Sequence, residues 1–135
     1  MPTQIFVNLP VKSLERSVGF FKQLGYSFDP KFTDENATCM VVGDNIFVML
    51  LVEPFFQTFT SKPIANARTA TEAIICIALD SRAAVDSLAD KALAAGGFPS
   101  SETKDNGFMY QRGYQDLDGH LWEVIHMDPD VAAPQ

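Results

Sequence analysis

The sequence predicts an α+β protein made of two tandem βαβββ modules. Three observations predict it. A strand-like run, a helical run and three further strand-like runs occur in residues 1–60 and again, in the same order, in residues 72–127. Val18 and Val85, at similar places in the two helical runs, lie 67 positions apart, half of a 135-residue chain. An internal duplication explains this most economically. Near the end, Asp118-Gly119 separates two strand-like runs, the mark of a hairpin. Together these make 1–135 a single domain, with residues 128–135 as a flexible tail.

Each element has a local reason. Residues 5–11 read as a strand. Ser13 caps a helix over 13–24 that Gly25 ends, with Leu14, Val18, Phe21 and Leu24 as its buried stripe. Strands follow at 26–28, 38–42 and 46–52, the last two joined by Gly43-Asp44-Asn45. Residues 53–71 form a linker with Pro54 and Pro63, and its Phe55, Phe56 and Phe59 are expected to pack onto a sheet or else to cover a pocket mouth or a dimer contact. The second half opens with a strand at 73–79. Asp80 or Ser81 then caps a helix running to about Ala95, with Val85, Leu88, Ala92 and Ala95 on one face, and Gly96-Gly97 ends it. A weak strand at 99–102 precedes strands at 108–115 and 120–127.

Composition narrows the function. Hydrophobic residues make up 47% and charged residues 20%, as in an ordinary globular protein of one domain. The net charge is −7 and no basic run occurs, which argues against nucleic acid and anionic membranes as partners. No apolar run approaches the ~20 residues of a membrane span. No charged segment followed by an apolar stretch opens the chain, so a cytoplasmic protein is expected. Cys39 and Cys76 form no C-x-x-C pair and are expected to be buried small hydrophobes.

Two segments carry a family resemblance. Val11-Lys-Ser-Leu-Glu-Arg-Ser-Val-Gly-Phe-Phe-Lys-Gln-Leu-Gly25 is similar to the opening strand-to-helix motif of the vicinal oxygen chelate superfamily. Asp116-Leu-Asp-Gly-His-Leu-Trp-Glu-Val124 is similar to its closing hairpin. That superfamily includes glyoxalase I, extradiol dioxygenases, fosfomycin-modifying enzymes and bleomycin-resistance proteins. The resemblance implies two modules curling around one open cavity that binds a small molecule, and a homodimer. It also implies a divalent metal (nickel, manganese, iron or zinc) held by His, Glu or Gln. Glu123 matches the last ligand position. The other positions fall on or near Phe6, Ile74 and Met49 or Leu51, none of which holds a hard ion. The metal site therefore reads as degenerate. Rebuilding it would need Asn8, Glu53, Glu72 and Glu123 together. His120, Trp122, Val124 and His126 alternate onto the face opposite Glu123, so both histidines are expected at a surface or interface.

A carboxylate among Leu121, Trp122, Val124 and Ile125 needs a partner. If residues 116–119 form a four-residue loop, Arg112 faces Glu123 and forms a bidentate pair with it. Tyr110, Arg112, Tyr114, Leu121, Glu123 and Ile125 then share one pocket-like face. A one-residue register shift parts the pair. Three functions follow. One is a metal-free small-molecule binder, its acidic charge suited to a cationic or aromatic ligand, with Phe6, Asn8, Met49, Ile74, Tyr110 and Arg112 as contacts. A metal-dependent lyase or dioxygenase with Glu123 as ligand is another. The third is a metal-free enzyme with Glu123 or Tyr110 in acid–base work.

Overall fold

A helix laid on one face of a small sheet is the plan of each half of the chain in the computed structural model, which describes residues 2–129. The chain divides into two compact units, residues 1–65 and residues 66–135. Of the tail expected at 128–135, residues 130–135 lie outside the described residues.

The first unit runs β1 (Ile5–Val11), α1 (Leu14–Gln23), β2 (Ser27–Asp29), β3 (Ala37–Gly43) and β4 (Ile46–Val52). Its sheet order is β1-β4-β3-β2, with β1 parallel to β4 and the other pairs antiparallel. The Ser13 hydroxyl accepts from the Arg16 N–H at 3.3 Å and starts α1. Gly25, at φ 102°, follows its end in the left-handed region that glycine adopts at little cost. The stripe that α1 buries is Ser17, Phe20, Phe21 and Leu24. Leu14 and Val18, expected inside, instead line an open cleft with Glu15 and Lys22. Phe21 and Leu24 are buried as expected, and Phe20, its ring edge to face with Phe21 at 4.9 Å, takes the inner position in place of Leu14 and Val18. Each fully buried phenylalanine adds about 2–3 kcal/mol relative to exposure. The stretch after β4 is not a bare linker: α2 (Glu53–Phe56) and a 3₁₀ turn (Gln57–Phe59) occupy it, with Pro54 in the first helical turn.

Tyr26 packs beside Phe21, ring centroids 6.2 Å apart. Its hydroxyl is buried and has no hydrogen-bond partner among the described residues. Burial alone pushes its ionisation up to about 12. Two results are expected. Tyr26→Phe leaves stability unchanged or raises it by about 1 kcal/mol, because an orphaned hydroxyl no longer has to be desolvated. The wild-type protein also loses on the order of 2 kcal/mol as pH rises from about 10 to 12, since only the unfolded state ionises there. Urea titrations of both proteins across that range check this; an equal alkaline loss in Tyr26→Phe contradicts it.

The second unit repeats the plan: β5 (Ile74–Ala78), α3 (Arg82–Ala94), β6 (Phe98–Pro99), β7 (Lys104–Asp105), β8 (Met109–Gln115) and β9 (Leu121–Met127). Its order is β5-β9-β8-β6, β5 is parallel to β9, and β7 also pairs with β8. The weak strand expected at 99–102 is thus two short strands on either side of a break. Ser81 caps α3 by accepting from the Ala84 N–H at 3.0 Å. Val85 and Ala89 pack on Val124, with Ile77, Leu79, Leu88 and Tyr110 around them. Among the described residues, no helix is long and apolar enough to cross a membrane.

Candidate functional site

The β8–β9 hairpin decides where Glu123 points and what it meets. Asp116, only 2% exposed, accepts from the Asp118 N–H, the His120 N–H and the Trp122 indole N–H, each at 3.0 Å. The Asp116 N–H in turn donates to the His120 carbonyl at 3.1 Å. These bonds draw His120 into the turn. The first ladder pair is therefore Gln115 with Leu121, and the loop is one residue longer than the four expected. Burial pushes the Asp116 carboxyl up, while His120 and the N–H donors pull it back.

That one residue overturns the expected pair. Glu123 lies opposite Gly113, and Arg112 lies opposite Val124. Arg112 sits on the helix-covered face with Tyr110 and Tyr114, so the shared face expected for Tyr110, Arg112, Tyr114 and Glu123 is corrected. On that face the Arg112 Nη1 donates to Asp90 at 2.8 Å and to Asp86 at 3.1 Å. The Tyr110 hydroxyl donates to Asp86 at 2.6 Å, and the Arg82 guanidinium lies over its ring at 5.0 Å. Donation from Tyr110, then from Arg112, holds the Asp86 carboxyl below the usual carboxylate range. These residues fasten α3 to the sheet.

The partner of Glu123 is Gln111. Its amide N–H donates to the Glu123 carboxylate at 2.9 Å. Gln111 lies opposite Ile125, a diagonal neighbour of Glu123 on the same face, and is 8% exposed. A loop one residue longer is the signal that would have pointed to it. The same face, turned away from α3, carries Ile74, Cys76 and Ala78 on β5, with Cys76 in register with Glu123. Ile74 is 54% exposed and Cys76 is exposed. The expectation of two buried thiols therefore holds for Cys39 alone. β5 alternates between its faces, and Cys76 falls on the one without a helix. Partial desolvation of the sulfur against the sheet, then the Glu123 charge, pushes the Cys76 thiol up, so it stays protonated at neutral pH.

His120 does not lie at a surface as expected. His120 is 4% exposed, with Nδ1 3.5 Å from the Glu72 carboxylate. His126 places Nδ1 2.9 Å from the Leu79 carbonyl. His120 is enclosed because the longer turn draws it in, while His126 is half-buried beside the end of β5.

In the first unit, Phe6 pairs with Phe47 and Asn8 with Met49 on the face away from α1. The Phe6 and Phe47 rings stack at 4.8 Å, and Phe6 is 42% exposed. The Asn8 amide donates to the Phe6 carbonyl at 3.4 Å.

A resident divalent ion needs three or four donors. Among the described residues, no group of three or more His, Cys, Asp or Glu side chains is placed to hold one. Glu123 has an amide and a neutral thiol as neighbours, and neither Phe6, Met49 nor Ile74 supplies an oxygen. These residues do not fit such an ion. What they offer a ligand is one fixed carboxylate amid apolar surface.

Residues 3–43 match the family description "Bleomycin resistance protein-like N-terminal". Several solved structures share the fold. A hypothetical protein from S. aureus is 25% identical, with a TM-score of 0.79 over 93% of this chain and 94% of that one. A glyoxalase/bleomycin resistance protein/dioxygenase family enzyme from Burkholderia phytofirmans PsJN is 14% identical, with a TM-score of 0.77 over 93% and 99%. A lactoylglutathione lyase from Agrobacterium tumefaciens is 18% identical, with a TM-score of 0.67 over 93% and 95%. No curated protein matches the sequence.

Proposed function

We propose that this chain, which shares its fold with glyoxalase/bleomycin resistance/dioxygenase proteins, is a member of the vicinal oxygen chelate superfamily that binds a small molecule through Glu123, without a resident metal. The observation that carries the reading is the Gln111–Glu123 hydrogen bond of 2.9 Å on the sheet face away from α3. It fixes one carboxylate oxygen and leaves the other as an acceptor for a ligand. Ile74, Ala78 and Ile125 on that face give the apolar surface a pocket uses, while few polar groups set orientation. A ligand with an N–H donor or a cationic nitrogen beside an aromatic or aliphatic body suits this chemistry. The net charge of −7 draws such a ligand in. The exposed Phe6 over Phe47, with Asn8 and Met49 alongside, is a second apolar surface assigned to ligand contact. Tyr110 and Arg112 are left out, since α3 holds them. A homodimer, as the resemblance implies, is part of the proposal.

The experiment is a melting-temperature screen of cationic aromatic compounds, followed by calorimetry on the hits. Glu123→Gln should weaken a cationic hit at least tenfold, about 1.4 kcal/mol, with the unliganded melting temperature nearly unchanged. Equal affinity in the variant sinks the reading. The competing reading is a metal-dependent lyase or dioxygenase with Glu123 as ligand, which the position of Glu123 on the last strand favours. Stoichiometric metal retained after dialysis, and lost in Glu123→Gln, would move the assignment to it.

A further inference from the structure

We infer that the break between β6 and β7 is a second binding site, one for a neutral ligand with vicinal hydroxyls, of monosaccharide size. Pro99 pairs with Tyr114 and Lys104 with Gln111, so residues 100–103, four in number, stand opposite only Arg112 and Gly113. The two extra residues bow out of the ladder and leave a cavity of about 310 Å³ at the sheet edge. That volume is at the small end of the range for ligand pockets, about 300–1,000 Å³.

The lining is chemically specific. Ser100, Ser101 and Thr103 bring three hydroxyls, and Glu102 brings a carboxylate. A Cβ at Gly113 would lie 2.5 Å from the Ser100 Oγ and 3.0 Å from the Ser101 Oγ, so the glycine leaves these hydroxyls room beside β8. Arg112 also lines the cavity, with its side chain 19% exposed. All its guanidinium hydrogen bonds among the described residues leave through Nη1, towards Asp86 and Asp90. The Nε and Nη2 edge, with three more N–H donors, is not engaged by the helix.

Charge selects the ligand. One guanidinium already faces two aspartates, and Glu102 adds a third carboxylate, so the niche is negative in sum and disfavours an anion. The ligand must instead accept from Arg112 and donate to Glu102 within a short distance. Adjacent hydroxyl groups do both. Leu93 and Pro99 supply an apolar wall for the C–H side of such a ligand.

The test is an amide ¹H–¹⁵N titration of the full chain with glucose, myo-inositol and xylitol, with glucose 6-phosphate as the charged counterpart. At least one neutral polyol should give saturable shifts at residues 100–103 and 112–113, half-complete on the order of 10 mM. Arg112→Gln should weaken binding at least tenfold. Thr103→Val, on the exposed bulge, should weaken it about threefold and serves if the first variant does not fold. Shifts that rise linearly at all amides, or tighter binding of glucose 6-phosphate at the niche, overturn the inference. The amides around Cys76 and Glu123 report the first site separately, so failure of either proposal is distinguishable.

Discussion

Asp116→Ala should lower the unfolding free energy by about 3–5 kcal/mol, the largest effect expected of a single substitution in the hairpin. The carboxylate satisfies three N–H groups at 3.0 Å, and two of them, the His120 amide and the Trp122 indole, are buried. Removing it strands those donors, and each buried orphan costs about 1–3 kcal/mol. Trp122 is wholly buried and its ring stacks with Tyr114 at 6.2 Å, so the indole cannot turn to solvent. Asp116→Asn keeps an acceptor oxygen and should lose roughly half as much. Urea denaturation with an unchanged m-value reads both. A loss under about 1 kcal/mol for the alanine variant would mean the turn does not depend on this side chain.

Gly119→Ala comes next, with an expected loss of about 2–4 kcal/mol. Two independent obstacles add. Gly119 has φ 90°, where a Cβ is strained. The added Cβ would also lie 2.9 Å from the Arg68 Cα and N and 3.0 Å from the Ala67 carbonyl carbon. Those are backbone atoms and cannot rotate aside like a side-chain tip. Nor is that segment free to drift: the Arg68 guanidinium donates to the Leu117 carbonyl and lies over the Phe98 ring at 5.3 Å. Thermal unfolding of Gly119→Ala beside wild type reads the cost, and an unchanged melting temperature would contradict the packing described.

Both substitutions bear on the candidate site as well as on stability. The length of the 116–120 turn places Gly113, not Arg112, across from Glu123. A turn shorter by one residue would move every β8 side chain to the other face. Gln111 would leave Glu123, and Arg112 would leave Asp86 and Asp90.

What the sequence made legible was local. Ser13 and Ser81 are caps because their hydroxyls reach N–H groups three residues ahead. The repeated element order was visible because each strand and helix carries its own spacing. What escaped was set by contacts distant in sequence or by neighbouring bulk. Nothing near Asp116 announces that its carboxylate will reach the Trp122 indole and lengthen the loop. Phe21 and Leu24 of the α1 stripe were legible, but Phe20, larger than Leu14 and Val18, takes the remaining inner position. Alternation in β5 placed Cys76 with Ile74, yet could not say which face the helix covers. In the site, Glu123 was legible as a carboxylate in an apolar strand. Its partner Gln111 was not, because that depends on the register.

Glu123, steadied by Gln111, is proposed to grip a ligand without an intervening ion. A crystal soaked with a cationic hit from the screen together with manganese makes ligand and ion compete in one experiment. The expected density puts the cationic nitrogen about 3 Å from the Glu123 carboxylate, with the Gln111 amide still donating. A manganese ion on Glu123 held by three or more protein side chains, or a ligand bound away from that carboxylate, would contradict it.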